Sequence, residues 1–239
     1  MKKYISLSIY AAVLLAASNP ALASGNLDRL GSLSQTEFGL LAKDFTAAAS
    51  YKAVAPGEPL GLTGFDLGAE VSVTKLEYSN LWQKSGADIS SLILPKVHVH
   101  KGLPFGIDVG GFVAASPDAD IRLVGLELRY AIWQGGIAQP SLSVRAAATR
   151  LSGVDQLDLN TKSVELTLSK GFLMLTPYVG VGRVWSDVNP HAASLQKVSP
   201  SDNKLFAGVN ANFGLMNIAG EFDRTGDNNT VSAKFGFRW

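Results

Sequence analysis

His98 and His100, two histidines set two residues apart, are the pair in this 239-residue chain whose types and spacing best suit chemistry. On an extended strand, residues i and i+2 share a face with their side chains ~7 Å apart. Two imidazoles presented this way could share one divalent cation if a carboxylate such as Asp108 or Glu127 came across from a neighbouring strand. Two ligands do not make a metal centre, and the same pair can equally sit in a closed polar network, each ring hydrogen-bonded. We expect the network, with no metal and no cofactor. His191, the remaining histidine, falls in a long polar stretch and is expected to be solvated. Other chemistry is removed by what the chain lacks. With no Cys there are no thiolate zinc sites, thiol nucleophiles, disulfides or lipidated N-terminal Cys. No Gly-x-Ser-x-Gly elbow or His-Glu-x-x-His pair occurs, and Gly110-Gly111 and Gly135-Gly136 do not lead into a helix as a phosphate cradle would. A net charge of +1 with 17% charged residues gives no basic footprint for nucleic acid.

The elements that must hold these residues are strands. In Val231 to Trp239 the residues Val231, Ala233, Phe235, Phe237 and Trp239 fall on one face, and Ser232, Lys234, Gly236 and Arg238 fall on the other. The same period of two recurs around Phe65 to Val73, Val97 and Val99, Phe105 to Val109, Val124 to Ile132, Leu142 to Ala148, Val164 to Leu168, residues 174 to 186, Leu205 to Phe213, and Met216 to Phe222. Ten strands result, with eight or twelve as alternatives. Arg183 shares a phase with Val179 and Val181, which requires a bulge there or a charge on an apolar face. A phase change near Leu123 and Val124 raises the same question. The longer connections, 79 to 90, 152 to 160 and 187 to 202, all fall at odd positions, while 101 to 104, 170 to 173 and 214 to 215 are tight. The connection at 225 to 229 reads as medium.

One helix precedes the strands. Ser34 followed by Glu37 is a capping box, and Phe38, Leu41, Phe45 and Ala48 recur at helical spacing until Pro56 and Pro59 end the segment. Further upstream, Lys2 and Lys3, an apolar run from Tyr4 to Ala17 and the small-x-small signature at Ala21 and Ala23 read as a cleaved export signal. The expected organisation is therefore a signal at 1–23, an N-terminal helical segment at 24–59 and a strand domain at 60–239.

Alternation alone does not say which face meets which solvent. Strand runs of about nine residues or more suit a tilted crossing of a bilayer. The face opposite the apolar one mixes Gly, Ser and Asn with charges of both signs, which suits a narrow lumen. Tyr130, Trp133, Phe213, Phe237 and Trp239 gather at strand ends on the tight-turn side, where an aromatic girdle belongs. The expected fold is all-β: a closed antiparallel transmembrane barrel with one amphipathic helix, which either caps the tight-turn mouth or plugs the lumen. The expected inward network comprises Glu70, Lys96, His98, His100, Asp108, Glu127, Arg129, Arg145, Glu165 and Glu221, each buried charge requiring a partner.

Phe235, Phe237 and Trp239, together with the signal and the alternating strands, resemble the bacterial outer-membrane β-barrel proteins that finish on an aromatic-x-aromatic strand. That resemblance covers residues 60 to 239. It implies the outer membrane as location, periplasmic chaperones and the barrel-assembly machinery as partners with those three aromatics as the assembly signal, and contact with outer-membrane lipid and lipopolysaccharide. The stretches Leu60 to Gly68, Pro95 to Gly106 and Arg224 to Asp227 look like those of a small family of proteobacterial outer-membrane proteins, and no activity comes with that likeness. We expect no enzyme, but an envelope-structural barrel or a narrow or gated pore for small solutes. A hydrolase of lipid or peptide, or a ligand-binding or adhesive barrel, is the alternative. The hydrolase is disfavoured because Val97 and Val99 take the lipid phase and turn His98 and His100 inward.

Overall fold

The computed structural model describes residues 27–115, 122–136 and 139–239. The expected signal at 1–23, with Ala21 and Ala23, and the connection at 116–120 lie outside the described residues. Ten antiparallel strands close into a barrel: β1 Phe65–Lys75, β2 Ser91–Gly102, β3 Ile107–Ala115, β4 Arg122–Gln134, β5 Ser141–Ser152, β6 Leu157–Ser169, β7 Leu175–Pro190, β8 Ser201–Phe213, β9 Met216–Thr225 and β10 Asn228–Arg238. Each strand pairs with its neighbours in sequence, and β10 returns to β1, with Leu67 opposite Phe237 and Thr74 opposite Thr230. Closure leaves no edge strand: every strand is paired with a neighbour on both sides.

Polarity is inverted relative to a water-soluble domain. Val97, Val99, Leu126, Leu128, Val164, Leu166, Val179, Val181, Leu205, Phe222 and Val231 all point outward and are exposed, while Lys96, His98, His100, Glu127 and Glu165 on the intervening positions are buried. A continuous apolar exterior of this extent is stable only against hydrocarbon, and the barrel is of the transmembrane type. Arg183 needs no bulge: β7 runs in register from Tyr178 to Pro190 against β6, and Arg183 faces outward at the upper border of the apolar band, donating to Ser201 Oγ (2.8 Å). The irregularity in register falls instead between Ala131 and Trp133 on β4.

The two rims differ. One carries the connections 76–90, 116–121, 153–156, 191–200 and 226–227, and the other carries 103–106, 135–140, 170–174 and 214–215. Three connections depart from expectation. Pairing of β5 with β6 continues to Leu151 opposite Leu159, so the expected long connection at 152–160 shrinks to four residues. Asn228 opposes Thr225, which leaves a two-residue turn where a medium loop is expected. The 76–90 connection holds a second helix, α2 Ser79–Ser85, too short to show a period in sequence; Trp82 packs against Phe45 at 4.4 Å between ring centroids. Phe105, expected at the start of a strand, sits in the turn before β3.

Helix α1 (Gln35–Ala49) stands inside the barrel at the loop rim rather than on the tight-turn mouth. Its capping box is formed: Glu37 N–H donates to Ser34 Oγ (3.3 Å), and Ser34 N–H donates to Glu37 Oε2 (2.7 Å). Its apolar residues Phe38, Leu41, Phe45 and Ala48 are buried against Leu92, Leu94, Leu123, Leu151, Leu159 and Val188, which point inward from the upper wall. The apparent phase change at Leu123 and Val124 has this cause: both faces of the wall are apolar there, one for lipid and one for the helix.

Candidate functional site

The lumen is filled by the chain's own N-terminal segment, held at three levels. At the loop rim, Arg29 N–H donates to Ser85 O (3.0 Å), Ser194 Oγ to Gly31 O (3.1 Å), and Gln35 exchanges bonds with the main chain of Gln196 (3.0 and 2.8 Å). Lys84 grips Glu37 at 2.7 Å; that bond, with those from Ser34, pulls the Glu37 carboxyl down to about 2. About two turns beyond Glu37 along α1, Asp44 accepts from Trp82 Nε1 (2.9 Å), Asn228 Nδ2 (2.7 Å) and the N–H groups of Glu77 and Tyr78. Burial pushes its carboxyl up, and these four donors restrain the rise.

The middle level holds the charges. Thr46 Oγ1 meets Ser186 Oγ (2.6 Å), and Thr149 Oγ1 donates to Ala49 O (2.9 Å), fixing the end of α1 to β5 and β7. Tyr51 then projects toward the histidines, its hydroxyl 3.3 Å from His100 Nε2. His98 Nε2 lies against a carboxylate oxygen of Glu70, which also takes Lys96 (2.7 Å) and Ser72. His100 lies 3.4 Å from Glu127, and Arg145 joins Glu127 (3.5 Å) to Glu165 (Nε to Oε2 3.0 Å). Lys204 donates to Glu165 (3.0 Å) and to Tyr51 O (2.8 Å), so the wall network includes the plug's main chain. Lys52 donates to Ala47 O (2.7 Å) and Ser50 Oγ (3.0 Å) and lies 3.9 Å from Asp223.

At the tight-turn rim Arg129 binds Asp108 (Nε to Oδ2 3.0 Å) and reaches Pro56 O (2.7 Å), while Asp108 also accepts from Leu60 N–H (3.1 Å). Gly57 N–H donates to Ser169 Oγ (3.1 Å). The segment leaves the lumen at Gly61 and Gly64, whose carbonyls border Gly102, before entering β1. It has therefore passed from one mouth to the other.

Glu70, Lys96, His98, His100, Glu127, Arg145 and Glu165 thus come together. Asp108 and Arg129 form a pair of their own lower down, and Glu221 accepts from Tyr178 (2.9 Å). His191 lies at the loop rim against Asp155 O (2.6 Å) and Asp158 (3.2 Å), which push its imidazole up. Phe235, Phe237 and Trp239 face outward, the last stacked on Phe65. Sequence reasoning missed Asp44, Tyr51, Lys52, Lys204, Tyr178 and Phe206. Lys204 and Phe206 were within reach, since they share the inward phase of Asn210; Tyr51 and Lys52 follow the helix in extended chain with no periodic signal. Chemically the site is a chain of opposed charges closed over by Tyr51, in which Glu70 Oε2, both nitrogens of His98, His100 Nδ1 and Glu127 Oε1 are buried without a hydrogen-bond partner. A substrate would have to displace the plug to touch either buried histidine.

No protein-family model and no curated protein matches the chain. Among solved structures it is similar to the KdgM porin in complex with disordered oligogalacturonate, at 7% identity over 72% of this chain and 98% of that one, with a TM-score of 0.37. It is similar to Neisserial surface protein A at 10% identity over 73% and 95%, TM-score 0.33. It is also similar to a loop-deletion mutant of OmpT, an outer membrane protein of Vibrio cholerae, at 12% identity over 62% of this chain, TM-score 0.34; the chain spans about half of that protein, 54%.

Proposed function

We propose that this chain is a self-plugged barrel of the bacterial outer membrane, a closed, non-enzymatic element of the envelope. The observation that carries this reading is the passage of residues 27–64 through the lumen, bonded to the wall at both mouths and at the middle. A ten-strand barrel is already narrow, since wide channels need ~16 strands, and here the remaining bore holds a helix followed by extended chain. The outer face supports the location. Below the loop rim it is apolar, and at the border the basic residues Arg122, Arg150, Lys162, Arg183 and Arg224 are exposed, well placed for lipopolysaccharide phosphates. Phe235, Phe237 and Trp239 on the closing strand suit reading by the assembly machinery.

A gated pore is the second reading. It is favoured by the lower plug, residues 50–64, which is held by side chains of the wall and contains no helix. Planar-bilayer recording separates the two. The full chain is expected to be silent at all voltages, and deletion of residues 34–56 to give discrete conductance. Voltage-dependent opening of the full chain would replace the closed barrel by the gated pore, and an open full chain insensitive to the deletion would overturn both. For the non-enzyme reading, hydrolysis of lipid or peptide that is abolished by His98→Ala would be the contrary result.

A further inference from the structure

We infer that the tight-turn rim is buried in the phospholipid leaflet, its turn tips acting as apolar anchors rather than standing in water. Two observations lead there independently. The first is strain placed on apolar residues. The hairpin of β6 and β7 closes with Phe172 and Leu175 exchanging main-chain bonds (2.7 and 2.9 Å), so Leu173 and Met174 are the two central turn residues. Leu173 takes φ 55°, and Phe105, in the turn before β3, takes φ 64°. Left-handed backbone at a hairpin tip is the place of Gly, Asn or Asp, and for a bulky side chain it is strained. Yet these two side chains are among the most exposed in the molecule, at 107% and 87%. Their strain is offset by no packing within the protein, so what offsets it lies outside. A third turn repeats the placement with the strain removed: Gly214 supplies the positive φ and Leu215 projects beside it, 63% exposed.

The second observation is continuity with the lipid-facing wall. On the loop side charged residues enter the outward face, Lys162 on β6 level with Trp185 on β7, and Arg183 level with Val164. Between these charges and the tight turn, β6 offers only Val164, Leu166 and Leu168, and β7 only Leu175, Pro177, Val179 and Val181. At ~3.3 Å per residue and ~40° tilt these runs cover about 10–15 Å of the membrane normal, against the ~25 Å apolar band of such barrels. Beyond Lys170, which takes the next outward position on β6 and donates to Gly136 O (3.1 Å), the exposed Phe172, Leu173 and Met174 resume the apolar surface and extend it toward the missing depth. The occupant the surface fits is therefore hydrocarbon and head group of the same leaflet. The polar belt on the opposite rim leaves the barrel displaced along the normal, sunk at its turns and raised at its loops.

The proposal rests on the transmembrane reading of the wall, and the test separates the two. Because the chain has no Cys, single cysteines introduced by Leu173→Cys, Phe105→Cys, Val164→Cys and Lys197→Cys can each carry one bimane label in full-length protein. The vesicles combine phosphatidylethanolamine and phosphatidylglycerol, with or without brominated acyl chains. Labels at 173 and 105 are expected to be quenched by bromolipid as strongly as the mid-wall label at 164, and to be shielded from aqueous iodide several-fold relative to the loop label at 197. Quenching by bromolipid at 164 but by iodide at 173 and 105 would overturn this inference alone, and iodide quenching at 164 would overturn the membrane barrel with it. An unlabelled variant gives a second readout. Leu173→Asn relieves the left-handed backbone; a turn in water would gain thermal stability from it, whereas a turn in lipid is expected to lose stability.

Discussion

Arg145 is the residue on which the middle of the lumen depends, because it stands between Glu127 and Glu165 and all three side chains are almost fully buried. Removing it leaves two carboxylates facing each other without their shared cation, and breaking a buried ion pair on one side costs about 3–5 kcal/mol. Arg145→Ala is therefore expected to lower the temperature at which the folded, heat-modifiable band disappears from gels. The Arg145→Ala, Glu165→Ala double variant should lose less than the two single losses added together. A second residue-scale expectation concerns pH. The folded carboxyl of Glu37 lies near 2, below its ordinary 4.5, because Lys84 and Ser34 bind the charged form. A depressed carboxylate contributes stability that is complete above pH 4.5 and is lost as pH falls toward 2. Hydrogen-exchange protection of the first turn of α1 should accordingly hold from neutral pH to about 4.5, decline below it, and show no such step in Glu37→Gln. At this scale the sequence was legible where parity was strict. Alternation alone assigns His98, His100, Glu127 and Arg145 to one face, but Tyr51 and Lys52, which complete the site, follow a helix and precede prolines, where nothing periodic marks them.

At the level of elements the wall is locked by aromatic rings laid over glycines of adjacent strands. Phe112 lies opposite Gly125, Phe206 opposite Gly180, Tyr178 opposite Gly208, and His100 opposite Gly110, and in each case an added Cβ would overlap the ring. Gly180→Ala must push Phe206 away from Arg145 and Lys204, which lie near its ring (5.8 and 5.3 Å). It is expected to destabilise by about 1–3 kcal/mol, the cost of overpacking a filled interior. Gly220→Ala, where a Cβ meets nothing within 4 Å, should leave the unfolding temperature unchanged. Thermal unfolding of the two variants in detergent checks this contrast. The strands and α1 were readable because each repeats one period long enough to be seen. Helix α2 was not, being seven residues fixed by Asp44 and Phe45 from another part of the chain. Nor was the length of the hairpins at 153–156 and 226–227, since polar residues continue a ladder outside the apolar band as readily as they form a loop.

For the molecule as a whole, the lumen is two environments in series. Its upper part is apolar and receives the apolar face of α1; its lower part is charged and receives extended chain through side-chain hydrogen bonds. The plug's own sequence matches that order, helix first and Tyr51 to Leu60 afterward, so segment and wall fit in one direction only, with residue 27 at the loop rim and residue 64 at the turn rim. Alternation could say that a narrow polar bore exists. It could not say what fills it: Leu123 beside Val124 reads as a phase change until the helix lies against it, and Leu92 and Leu94, which also line the upper wall, carry no expectation in the sequence. Occupancy of the bore by residues 27–64 is the claim on which the closed-barrel function rests, and a cross-link between plug and wall tests it most directly. In the Thr46→Cys, Ser186→Cys variant of the otherwise Cys-free chain, the two side chains start 2.6 Å apart. Mild oxidation of the folded protein should form the disulfide nearly completely and leave heat-modifiable mobility intact. Thiols that stay free and react with a bulky maleimide in the folded barrel would mean that the segment lies outside the lumen.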